Sequence, residues 1–188
     1  MDAIELLDQG YAWTAARIAA VPADGLDAPT PCDLWSLQEL LDHTIETLTM
    51  LTNTVAPPGD TAPDTQDTPG VAALGSSPWD RAIAELATRT GRAWEAPGIM
   101  DRSFDLPIGT MTTPMVASGM LLELVVHGWD ISQATGEAAR IPDALALPLL
   151  GFAREAVDEH RGDNFSADLG IGDTPSDQLI AFLGRKPL

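Results

Sequence analysis

The sequence is poor in cysteine, in positive charge and in long apolar runs. Its one cysteine, Cys32, in 188 residues excludes an internal disulfide framework and fits a reducing cytoplasm. Ten Lys and Arg stand against 28 Asp and Glu, for a formal net charge of −18. A chain so acidic is ill suited to follow a phosphate backbone or to lie on an anionic membrane surface, and its acid reads first as a solvated exterior. No apolar stretch approaches the roughly 20 residues of a membrane span. The N-terminal Met-Asp-Ala-Ile-Glu has neither the basic nor the apolar region of a signal peptide. These absences point to a cytoplasmic protein with no nucleic-acid and no membrane partner. Internal repeats are missing, and strand signal is almost missing.

What remains is a succession of helical periodicities. Residues 2–20 place Ile4, Leu7, Tyr11, Ala15 and Ile18 on one face. Ser36-Leu-Gln-Glu39 is a capping box after a Pro-, Gly- and Asp-rich loop, and it starts a second helix that runs to about Asn53. Residues 54–77 have too little apolar content to order themselves and read as a long mobile loop. Ser77-Pro78 opens a third helix that ends near Trp94. Ser103 to Met111 alternates around Pro107 and Gly109, which suits a short hairpin or an irregular excursion. A fourth helix from Thr113-Pro114 to about Thr135, capped by Gly136, is apolar nearly all round and therefore central. A fifth pattern covers Ile141 to His160, with Pro148 kinking it or shifting its start. Thr174-Pro-Ser-Asp177 caps a short last helix. The expectation is one all-α domain, with a bundle core over about 1–136 and a helical extension over about 137–188.

The chemistry concentrates in the fourth helix. Glu123 interrupts Met120-Leu-Leu-Glu-Leu-Val-Val126, and His127 follows one turn later. At i, i+4 the two side chains leave the same face with Cβ atoms about 5–6 Å apart. A carboxylate in such a run calls for a counter-charge. His43, on the second helix between Leu40 and Thr47, can face this pair from across the bundle. His43, Glu123 and His127 together would form an open site for zinc or a similar divalent ion, with a position left for water or substrate. The alternative is a buried Glu–His pair without metal. Asp130, one turn past His127, would orient its imidazole, reach the substrate side or move protons. Glu46, at i+3 from His43, is an alternative ligand. His160 reads as a solvated helix-end residue, Cys32 as a structural thiol, and Trp35 and Trp129 as packing anchors, with Trp129 able to line the mouth of the site.

These residues resemble one family. Pro29-Thr-Pro-Cys-Asp-Leu-Trp35, His43, Glu123-Leu-Val-Val-His-Gly-Trp-Asp130 and the tail Leu179-Ile-Ala-Phe-Leu-Gly-Arg185 are similar to the DinB-like group. That group is related to the metal-binding N-terminal domain of mycothiol-dependent maleylpyruvate isomerase. The resemblance implies a DinB-type four-helix bundle whose divalent metal is held by His43, Glu123 and His127. It also implies a mycothiol-like thiol as cosubstrate, in isomerisation or in transfer to an electrophilic substrate. The isomerase carries a separate C-terminal domain that contributes an arginine, and the residues after Gly136 do not resemble it, which favours thiol transfer or an unassigned activity over maleylpyruvate isomerisation. Zinc is the expected ion, with nickel a second fit. The alternative to an enzyme is a metal-binding or interaction module, as a monomer or homodimer.

Overall fold

The computed structural model describes residues 3–32, 35–56, 77–106, 109–158, 161–162 and 165–188. Helices α1 (Ala3–Ile18), α2 (Leu37–Val55), α3 (Pro78–Trp94) and α4 (Thr113–Ala134) form the bundle. α1 lies along α4, α2 packs on α4 and α3, and α3 closes the ring against α1. The start of α2 is fixed by its capping box. The Ser36 backbone N–H donates to Glu39 Oε2 at 2.8 Å, and the Glu39 N–H donates back to the Ser36 hydroxyl at 3.4 Å. That sets the phase of the helix and with it the direction of His43 two turns later. Ser77 and Asp80 repeat the device at α3, with Pro78 in the first turn. α2 runs slightly past the expected Asn53. The rest of the expected loop, residues 57–76, lies outside the described residues, as does His160.

In α4 every residue from Leu124 to Ser132 is buried. A helix surrounded on all sides must supply partners for its own polar groups, and His127, Asp130 and Ser132 are such groups. Ser132 donates to the Trp129 carbonyl at 2.8 Å and accepts the Ala139 N–H at 3.1 Å. Elsewhere in the core, a chain of hydroxyls from Tyr11 through Thr90 to Thr52, at 2.9 and 2.8 Å, ties α1, α3 and α2 together.

The excursion before α4 is a hairpin. β1 (Ser103–Leu106) pairs antiparallel with β2 (Gly109–Thr112). Buried Thr113 then donates to the Ile99 carbonyl at 2.6 Å and pins the start of α4. α5 (Asp143–Ala156) is shorter at both ends than its periodicity suggested and carries Pro148 inside it. It pairs with α6 (Pro175–Phe182) and touches α4 and α1. Among the described residues no helix is long and apolar enough to cross a membrane.

Candidate metal centre

α2 and α4 bring His43, Glu123 and His127 together, with one ligand atom of each within 4.8 Å of the others. Glu123 Oε2 lies 3.2 Å from His127 Nε2 and 3.8 Å from His43 Nε2. A tetrahedral ion with bonds of about 2.0–2.1 Å needs N and O ligands about 3.3 Å apart, so these separations suit one. The oxygen itself makes the stronger case. Glu123 Oε2 is buried and faces both imidazoles, 3.2 Å from His127 Nε2, without a well-aligned hydrogen bond to either, which leaves it available to a cation.

The three candidate ligands are unequally sheltered. Side chains of His43 and Glu123 keep 33% and 32% of their surface exposed, against 7% for His127. The site therefore opens along the His43–Glu123 edge and is closed behind His127. Glu123 is less deeply placed than its apolar neighbours suggested. Helical phase turns Leu122 and Glu123 toward the rim while Met120 and Leu124 face inward.

Behind His127 the packing is polar. Asp130, with no exposed surface, accepts the His127 Nδ1–H on Oδ2 at 3.0 Å. A metal-ligating histidine is held in this way, with one ring nitrogen fixed by a carboxylate and the other free for the ion. The same Oδ2 accepts the Cys32 thiol at 3.3 Å and lies 3.6 Å from the Arg185 guanidinium. Sequence reasoning gave Cys32 only a structural role and Arg185 none. Cys32 is positioned by buried Thr30, whose hydroxyl accepts the Cys32 N–H at 3.1 Å and donates to the Trp35 carbonyl at 2.8 Å.

That loop also delivers Trp35, whose ring centroid sits 4.2 Å from that of His43 and 6.2 Å from that of His127. Trp35 thus walls the site. Trp129 is buried and makes no ring contact with the histidines among the described residues. Glu46 stays outside the converging set and lines a shallow hollow on the outer face of α2 with Ile45, Thr49 and Met50.

Burial pushes the Glu123 carboxyl up, but His127 and His43 outweigh it and hold it well below the usual carboxylate range. Burial pushes His127 down, and Asp130, Cys32 and Glu123 more than reverse this, so its pKa stands well above the ordinary histidine value. Metal uptake must then displace a proton from His127 near neutral pH. Zinc added to weakly buffered metal-free protein at pH 7 is expected to release about one proton per ion from this imidazole. Affinity should fall about tenfold per pH unit of acidification in that range. Calorimetry in buffers of different ionisation enthalpy reads the proton count, and a count near zero would contradict a protonated His127.

The model of the mycothiol maleylpyruvate isomerase N-terminal domain matches residues 7–132. Uncharacterised proteins from two strains of Mycobacterium tuberculosis are each 31% identical over 176 residues, covering 91% of this chain and 91% of their own. No solved structure gives a significant match. The matched span runs from α1 to the buried end of α4 and includes all three converging ligand positions. On this ground the chain belongs to the mycothiol maleylpyruvate isomerase N-terminal domain family.

Proposed function

We propose that the protein is a metal-dependent enzyme that transfers a low-molecular-weight thiol of the mycothiol type to an electrophilic substrate. One observation carries the reading: ligand atoms of His43, Glu123 and His127 converge, the buried Glu123 Oε2 among them, at a site open along one edge. His43, Glu123 and His127 would hold the ion, with zinc the best fit to two imidazoles and a carboxylate and nickel a second. A divalent ion there supplies a Lewis-acidic position at which a thiol gives up its proton near neutral pH.

The protein's own groups do the rest. His43 and Glu123 form the exposed rim over which thiol and electrophile enter. Trp35, whose ring lies tilted against His43, braces that imidazole and offers an apolar wall to the substrate's carbon frame. Asp130 has no exposed surface, so it acts through His127, setting which ring nitrogen carries the proton, and does not touch substrate.

Zinc-loaded protein given mycothiol and a panel of alkylating and epoxide electrophiles should consume thiol faster than the uncatalysed mixture. His43→Ala should abolish the difference while leaving the fold intact by circular dichroism. No thiol-dependent turnover across the panel, with zinc demonstrably bound, would refute the enzymatic reading.

A further inference from the structure

The family match ends at residue 132, but the polar packing behind His127 does not. Arg185 reaches it from the far end of the described chain. After α6 the chain makes a Schellman turn, in which the Arg185 N–H bonds the Ile180 carbonyl at 3.0 Å and the Gly184 N–H bonds the Ala181 carbonyl at 2.9 Å. Gly184 has φ +74°, and a Cβ on it would stand 2.6 Å from the Ser166 Cβ, so both conformation and space require glycine. Arg161 braces the same turn by donating to the Phe182 carbonyl at 3.0 Å. The turn sends Arg185 back into the bundle, where its side chain is only 17% exposed and its guanidinium lies 3.6 Å from Asp130 Oδ2.

The charges say what this contact is for. Among the described residues, the groups within ion-pair distance of Asp130 are His127 and Arg185. A His127 that ligates an ion through Nε2 is neutral. Arg185 is then the remaining counter-charge for a carboxylate with no exposed surface, and such a carboxylate without one is costly. Cys32, His127 and Asp130 also have ligand atoms within 4.8 Å of one another. The guanidinium already supplies positive charge at the shared oxygen, so this group reads as a hydrogen-bonded brace rather than a second ion site.

We infer that Arg185 is a positioning residue of the metal centre, holding Asp130 so that His127 keeps its proton on Nδ1 and presents Nε2 to the ion. The inference rests on the metal-binding reading above and adds that the segment beyond the family-matched span completes the site.

The test compares wild type, Arg185→Gln, Arg185→Lys, Asp130→Asn and the Asp130→Asn/Arg185→Gln double variant. Zinc affinity is measured by competition with a chromogenic chelator, and imidazole tautomers by ¹⁵N spectra of the zinc-loaded proteins. Arg185→Gln is expected to weaken zinc binding about tenfold, the low end for a residue behind a ligand. Arg185→Lys should restore part of that loss. In the Asp130→Asn background the Gln substitution should add little. His127 should show one Nδ1–H tautomer in wild type and a mixture in Arg185→Gln. Wild-type affinity in Arg185→Gln, an undiminished effect in the Asp130→Asn background, or two zinc ions per wild-type chain would each overturn the inference. Should Arg185→Gln fail to fold, Arg185→Lys decides on the same comparisons, with unchanged affinity and tautomer counting against it. A wild-type chain that takes up no zinc would sink the metal reading and this inference with it. Zinc binding insensitive to Arg185 would sink the inference alone.

Discussion

Purified His127→Ala protein is expected to hold essentially no zinc under conditions that load the wild type stoichiometrically. His127 is the most sheltered of the three candidate ligands, at 7% side-chain exposure, and joins the open rim to the packing behind it. Without it, His43 and Glu123 remain, each about a third exposed, with no third converging ligand among the described residues. Losing one protein ligand of three is expected to cost at least about a hundredfold in affinity. The same substitution strips Asp130 Oδ2 of its 3.0 Å partner and leaves a fully buried carboxylate to Cys32 and Arg185. It should therefore also destabilise the metal-free protein, by about 1–3 kcal/mol. Thermal unfolding with excess chelator isolates this second effect, and elemental analysis after dialysis isolates the first. His43→Ala should reproduce the metal loss with a smaller effect on metal-free stability, since His43 and its neighbour Glu123 are each about a third exposed, whereas Asp130 behind His127 is fully buried. If His127→Ala retains wild-type zinc, the ion is held somewhere other than this cluster.

The asymmetry between the two histidines explains what the sequence could and could not disclose. The trio was legible because its spacing is local. Glu123 and His127 are one turn apart, and the capping box at Ser36 sets the phase that turns His43 toward them. The central position of α4 was legible in its apolar run. The parts that were not legible are long-range. Cys32 is 98 residues from Asp130 and is aimed by Thr30 within an irregular loop. Arg185 is aimed by a Schellman turn whose consequence depends on how α5 and α6 dock. A motif can mark such residues, as the Pro29–Trp35 and Leu179–Arg185 segments did, without saying what they touch. Glu123 shows the opposite error. A run of apolar letters suggests uniform burial, but a helix has sides, and this carboxylate sits at the rim with a third of its side chain exposed although its Oε2 is buried.

One substitution made at two glycines of α4 should change stability in opposite directions. Neither glycine has a left-handed backbone, so conformation is not the issue. A Cβ at Gly119 meets nothing within 4 Å, so Gly119→Ala should gain the helix-propensity difference, about 0.5–1 kcal/mol. A Cβ at Gly128 would stand 2.4 Å from the Trp13 Cζ3, 2.9 Å from its Cε3 and 3.1 Å from the Thr14 hydroxyl. Those neighbours have little freedom. Arg17 stacks 5.1 Å from the Trp13 ring centroid and is itself held by Glu137 at 2.9 Å. The buried Thr14 hydroxyl donates to the Leu124 carbonyl at 2.6 Å. Overpacking of this kind costs about 1–3 kcal/mol and exceeds the propensity gain. In a chain of this size Gly128→Ala should lower Tm by about 2–10 °C, while Gly119→Ala raises it slightly. Gly128 also lies between His127 and Asp130, so α4 cannot move off α1 without carrying the ligand and its carboxylate. Gly128→Ala should then weaken zinc binding in the same chelator competition that leaves Gly119→Ala at wild-type affinity. Equal Tm changes at the two glycines would mean that α1 and α4 are not in the close contact that fixes the back of the site.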